Sequence, residues 1–220
     1  MADLVEWLAN NGIEQVETIV PDMAGRARGK LVPATLVGKG IIKLPEALFG
    51  QTAGGDYYLP DENVEDRDMH CRPAAGTARI QPWASEPTAS VLLDCFDADG
   101  STITIAPRAV LQRVVDLYAD RGWRPVVAPE VEFYLLGDEP VGDAAVDPYG
   151  TDQVHDHAAL FERLNDHCQR QGISLGAMSQ ELGPGQFEIN FQHGDAVRLA
   201  DDPGAGQAQA HRRIRLVDVL

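Results

Sequence analysis

The chain is short of cysteine, of aromatic residues and of positive charge, and each shortage removes a class of protein. Its three cysteines, Cys71, Cys95 and Cys168, are odd in number and show no C-x-x-C spacing. That argues against a disulfide framework or a structural zinc site and fits a reducing cytoplasm. Aromatic residues make up 6% of the chain, fewer than the platforms of a sugar-binding cleft demand. Lys and Arg number 18 against 34 Asp and Glu, a formal charge of −16. Neither nucleic acid nor an anionic membrane is an expected partner for such a surface. No apolar run has the length of a membrane helix, and the acidic, amphipathic start MADLVEWLANNG does not read as a signal peptide.

What is present suffices for a globular protein: 220 residues, 44% hydrophobic and 24% charged, enough for one large domain or two modest ones. The most informative stretch is QELGPGQFEINF, Gln180 to Phe191. Gly183, Pro184 and Gly185 make a tight turn, followed by strict alternation. Phe187, Ile189 and Phe191 share one face of a strand, and Gln186, Glu188, Asn190 and Gln192 share the other. One side belongs to a core, while the other offers a carboxylate and amides to water or to a ligand.

Upstream, Asp3 is expected to cap a short helix carrying Leu4, Trp7 and Leu8 and ended by Gly12. A strand from Gln15 to Val20 leads to PDMAGRARGKLVP, whose Arg26, Arg28 and Lys30 suit a solvated strand–turn–strand better than a phosphate loop. DYYLPDENVEDRD reads as a long acidic loop. Arg79–Trp83, Ser90–Phe96 and the alternating Thr102–Ala106 read as strands, with a turn at Asp97–Gly100. Pro107 then opens a helix through Asp120, with Val110, Leu111, Val114, Leu117 and Tyr118 as its apolar stripe. Trp123 to Leu136 reads as one strand or two, an acidic loop covers Gly137–Gly150, and a helix from Asp156 to Gln171 points Leu160, Phe161, Leu164 and Cys168 inward. The pattern is α+β.

Four glutamates, Glu130, Glu132, Glu181 and Glu188, stand on the polar faces of strands or at their turn. Glutamate is disfavoured in strands, and crowded carboxylates raise one another's pKa unless a cation offsets them. A carboxylate-lined Mg²⁺ or Mn²⁺ site is one reading. Two half-exposed strands whose polar faces happen to carry glutamate is the other, and the sequence leaves both open. A carboxylate pair for glycoside hydrolysis is a weaker alternative. His155 and His157, two residues apart, read as capping or surface residues, and no Ser-His-Asp or Cys-His pattern singles out a catalytic residue.

These glutamates lie in segments that resemble the glutamine synthetase family. APEVEFYLL at 128–136 and QELGPGQFEINFQHGDA at 180–196 are similar to its catalytic strand and its central metal motif. DMAGRARGK at 22–30, QPWASEPTASVLLDCFDADG at 81–100 and APRAVLQRV at 106–114 match in the same order. The resemblance implies a β-grasp-like N-terminal domain over residues 1–105 and the first part of a catalytic half-barrel, an antiparallel sheet with helices, over 106–202. It implies an ATP-dependent ligase in which glutamate is phosphorylated on its γ-carboxylate and ammonia or an organic amine displaces the phosphate, in a cytoplasmic ring-forming homo-oligomer. Two Mg²⁺ or Mn²⁺ ions serve such chemistry. By motif, Glu132, Glu181 and Glu188 would hold one ion and Glu130 the second.

Two departures refine this expectation. Ammonia-using members carry an F-D-G-S-S-like segment, where this chain reads Phe49-Gly50-Gln51-Thr52, with Asp56 nearby. That and the wording GPGQFEINF resemble the branch acting on polyamines and other organic amines. Beyond Asp202 the family's later metal histidine, metal glutamate and substrate arginines do not follow, and residues 203–220, PGAGQAQAHRRIRLVDVL, change composition. The expectation is a fragmentary or frameshifted chain without ligase turnover of its own. The competing expectation is an inactive, regulatory or ring-forming relative.

Overall fold

The computed structural model describes residues 2–40, 42–52, 54–58, 67–135 and 148–202. Residues 59–66 of the acidic loop expected over 56–68, residues 137–147 of the one expected over 137–150, and the tail from Pro203 lie outside the described residues. Helix α1 (Ala2–Asn10) buries Leu8 and starts one residue before Asp3, which therefore lies in the first turn and is not the cap. Gly12 takes φ +62, and Ile13 N–H reaches back to the Leu8 carbonyl at 2.9 Å, closing the helix by a left-handed turn.

Strands β1 (Gln15–Pro21) and β2 (Ala27–Pro33) form the expected hairpin. Its turn is organised by Asp22, a buried carboxylate that accepts from the backbone N–H of Ala24 and Arg26 and from Arg28 Nε at 2.7 Å. The basic cluster thus spends one of its charges on its own turn. A short helix α2 (Ala34–Val37), strand β3 (Ile42–Pro45), a 3-10 turn (Glu46–Gly50), and strands β4 (Asp68–Pro73), β5 (Arg79–Ile80) and β6 (Thr88–Phe96) follow. The sheet runs β2-β1-β6-β4-β3, with β5 also on β6.

Strand β6 is central: its N-terminal part runs parallel to β1, Gln15 beside Thr88 and Ile19 beside Leu92, and its C-terminal part runs antiparallel to β4. Burial follows from that position, because both faces of β6 are covered. On one face Val91, Leu93 and Cys95 join Val16, Val20, Met69, Phe49 and Leu8 in the main core, and on the other Leu92 meets Ile19 and Ala74. Cys71 and Cys95 are opposed across β4 and β6 as buried thiols 3.8 Å apart, with no disulfide.

Several expected elements are shorter than the patterns suggested. Thr102–Ala106 is not a strand: Thr102 makes one bridge to Phe96, and the Ala106 N–H already turns back to the Ile103 carbonyl ahead of Pro107. Arg79–Trp83 keeps only Arg79–Ile80, because Ala84 N–H closes a turn on Gln81 across Pro82. Helix α3 (Pro107–Ala119) forms as expected but buries none of its residues. Val110, Val114, Leu117 and Tyr118 are exposed, and no element among the described residues covers them.

The second sheet holds the informative stretch. Trp123–Leu136 resolves into β7 (Val126–Val127) and β8 (Glu130–Tyr134), separated by Pro129. The helix expected over 156–171 forms as α5 (Ala158–Arg170), and a separate short helix, α4 (Thr151–Asp156), precedes it and ends where His157 leaves helical geometry. Strands β9 (Leu175–Gln180) and β10 (Gln186–Phe191) complete an antiparallel sheet of order β8-β10-β9. The two residues of β11 (Gly194–Asp195) pair with β7, and residues 196–202 are helical. This last helix is tied back by Arg108, which forks onto Asp201 at 2.9 and 3.0 Å and also meets Asp94, and by Arg79 on Asp202 at 3.0 Å. Among the described residues no helix is long and apolar enough to cross a membrane.

Candidate functional site

The alternation in β10 places its side chains as the pattern demanded. Phe187 is fully buried and Ile189 nearly so. Phe187 is ringed by aromatic neighbours: Phe133 at 6.0 Å, Phe161 edge-on at 5.2 Å and His157 edge-on at 5.4 Å between centroids. His157, expected as a capping or surface residue, is thus part of the packing behind the strand. His193 lies beyond the strand end and is exposed.

The opposite face is built in rows, because residues directly paired across strands point the same way. Tyr134 pairs with Gln186. Glu132 pairs with Glu188, which pairs on its other side with Ser179. Glu130 pairs with Asn190. Direct cross-strand neighbours have Cβ atoms about 4.5–5.5 Å apart, and like charges so placed repel. The structure therefore puts Glu132 and Glu188 side by side, which the sequence left open. Glu181 enters from the turn between β9 and β10. Its carboxyl is pushed above the usual carboxylate range, chiefly by loss of solvent and next by the charge of Glu188, with Glu132 adding to it and the Leu182 N–H opposing. Glu130 sits one row further along and is exposed.

Short hydrogen bonds hold this face. Asn190 Nδ2 donates to Glu188 Oε1 at 2.5 Å and Gln186 Nε2 to Glu132 Oε2 at 2.7 Å. The turn itself is closed by Gln186 N–H on the Gly183 carbonyl at 3.0 Å and Glu181 N–H on the Gln186 carbonyl at 2.9 Å. Gly185 has φ +70, and a Cβ on Gly183 would come within 2.6 Å of both Gln186 Oε1 and Tyr134 Oη. Glycine is required at 185 by backbone conformation and at 183 by space.

Donor type and placement suit a hard divalent cation. Glu132, Glu181 and Glu188 supply only carboxylate oxygens, and their crowding is the kind of repulsion a cation relieves. Among the described residues no three acidic, histidine or cysteine side chains close into a ready-made cation cage. A shared ion would require the long glutamate side chains to swing inward. The sequence did not single out Gln186 from the other amides of the face. The three-residue spacing Gly183-x-x-Gln186, which closes a turn on its own last residue, was the available sign.

Comparison with known proteins agrees with the placement of these strands. The family model described as glutamine synthetase, catalytic domain, matches residues 104–207, and the chain belongs to the glutamine synthetase family. Among curated relatives it is similar to gamma-glutamylputrescine synthetase PuuA of Escherichia coli (strain K12), at 29% identity over 212 residues, covering 86% of this chain and 44% of that protein. It is also similar to the glutamate–isopropylamine ligase of a Pseudomonas species, at 31% identity over an alignment of 224 residues, covering 90% and 47%. In fold it is similar to the structure titled "Apo GmaS without ligand", with TM-score 0.80, 22% identity, and 94% of this chain on 49% of that one. The chain spans about half the length of the curated relatives it matches.

Proposed function

We propose that this chain carries the glutamate-facing metal site of an ATP-dependent glutamate–amine ligase that prefers an organic amine to ammonia. The observation that carries the reading is the in-register pairing of Glu132 with Glu188 beside the pKa-raised Glu181, on the polar face of a strand with a wholly apolar back. In this reading Glu132, Glu181 and Glu188 hold one Mg²⁺ or Mn²⁺, and the more exposed Glu130 faces a second. Bound there, such ions neutralise charge on a transferring phosphoryl group. Residues 1–105 serve as a β-grasp-like domain and 106–202 as part of the catalytic domain, in a homo-oligomer. The names of the relatives support the amine preference, as does the absence of a carboxylate at Phe49-Gly50-Gln51-Thr52.

The test is cation-dependent stability. Manganese at about 100 times its Kd should stabilise the folded chain by about 2.7 kcal/mol, read as a rise in Tm. Glu188→Gln and Glu132→Gln should each remove most of that rise. A Tm indifferent to manganese, or shifted equally in all three proteins, would sink the metal reading.

A further inference from the structure

We propose that Gln186 is a positioning residue that fixes the Glu132 carboxylate for the cation, an inference that rests on the metal reading above. Gln186 is 8% exposed, and both ends of its side-chain amide are committed. Its Oε1 accepts from the Gly183 N–H at 2.8 Å and from the Tyr134 hydroxyl at 3.1 Å, and its Nε2 donates to Glu132 Oε2 at 2.7 Å. The two ends of a glutamine amide are exchangeable in principle, and the network must choose between them. Here the choice is forced. A backbone N–H only donates, so the atom facing Gly183 is the oxygen, and the nitrogen must face Glu132.

That orientation has a consequence for the carboxylate. An ionised Glu132 can only accept, and Gln186 occupies its Oε2 with a charge-assisted bond, leaving Oε1 free for another partner. The same residue fastens the turn that presents Glu181, because the Gln186 carbonyl accepts from the Glu181 N–H. Gln186 therefore connects two of the proposed ligands. The glycine at 183 is what leaves room, since any Cβ there would meet the Gln186 oxygen and the Tyr134 hydroxyl.

Glu replaces Gln with nearly the same shape, and Gln186→Glu separates the two roles. It keeps an oxygen to accept from Gly183 and Tyr134 but sets an acceptor against Glu132. Manganese affinity is measured on the full chain by electron paramagnetic resonance of the free ion. The parent is compared with Gln186→Glu, Glu132→Ala and the double variant, and hydrogen exchange over residues 181–186 monitors the turn. Outer partners of metal ligands are worth about 10–100-fold in affinity, and a loss of that size is expected in Gln186→Glu with the turn still protected. In the Glu132→Ala background the same change should move the remaining affinity by less than about 2-fold, because the residue acts through Glu132. If Gln186→Glu unfolds the turn, Gln186→Met serves as the second variant, with the same dependence on Glu132 expected. Unchanged or tighter binding in Gln186→Glu, or an equal loss with Glu132 absent, overturns the positioning role and leaves the metal reading standing. A parent chain that binds no manganese overturns both.

Discussion

Phe187→Ala tests whether the carboxylate face is held from behind. The ring is fully buried and touches Phe133, Phe161 and His157, in a cluster whose remaining buried member is Ile189. Truncating a buried Phe to Ala costs about 3–5 kcal/mol, and each aromatic pair contributes about 0.5–1.5 kcal/mol within that. With so small a cluster there is little neighbouring side chain to collapse into the gap, so the loss should fall at the upper end. Phe187→Leu keeps most of the volume and should cost much less, about 1.5 kcal/mol or under. Urea unfolding followed by circular dichroism and by tryptophan fluorescence reads both changes. Trp83 is a useful reporter because its ring lies 5.8 Å from His167 on α5. The same variant should weaken manganese binding, since Glu188 is the next residue on the strand. A cost below about 1 kcal/mol, or equal costs for Ala and Leu, would refute the idea that this ring anchors the site.

Two further expectations concern the scaffold. Gly29 faces the Thr18 carbonyl across the β1–β2 hairpin, and a Cβ there would lie 1.6 Å from that oxygen. Backbone must move, so Gly29→Ala should cost about 3 kcal/mol or more, the upper range for overpacking, seen as a lowered Tm while Gly12→Ala, with open space around it, is limited by its backbone conformation alone. His167 has its pKa pushed down, mainly by burial and further by Arg170 and Arg163, against the pull of Asp166. The unfolded chain therefore takes up this proton at a higher pH than the folded one. Stability should be complete above the ordinary histidine pKa of about 6.5 and decline as pH falls through it. His167→Gln should flatten that part of a urea-midpoint profile; an unchanged slope would remove His167 as its source.

Local pattern was legible in the sequence where one element's own residues decide it. Phe187, Ile189 and Phe191 alternate with polar neighbours, and β10 is the strand they describe. Pro107 opened α3, and Asp97–Gly100 made the turn, because both act within a few residues. The same logic overreached at Thr102–Ala106, where alternation was real but Pro107 and a turn at Ile103 left no length for pairing. The α3 stripe was legible as a stripe, but not whether anything covers it, because burial is decided by what packs on a face and not by the face itself. The break at His157 had no glycine or proline to announce it. Which glutamates are neighbours depends on the register of β8 against β10, a non-local fact carried here by the family resemblance and then seen directly as Glu132 beside Glu188. Gln186 did not stand out as a hub, because hydrogen-bond direction resides in a rotamer and the sequence offered only the Gly183-x-x-Gln186 spacing as a sign of it.

The parallel pairing of β1 with β6 sets a timetable for the chain as it is made. Residues 15–19 find their partners only when residues 88–92 have been synthesised. At roughly 5–20 residues per second that interval is on the order of ten seconds. Throughout it the β1–β2 hairpin has one bare edge, and the closure that covers it is a non-local step of the kind that slows folding. Val16, Ile19 and Val20 wait beside that edge, with Glu17 the one charge on it to discourage pairing with another nascent chain. Temperature or crowding during production should therefore act first on the N-terminal sheet, before any property of the glutamate face comes into play.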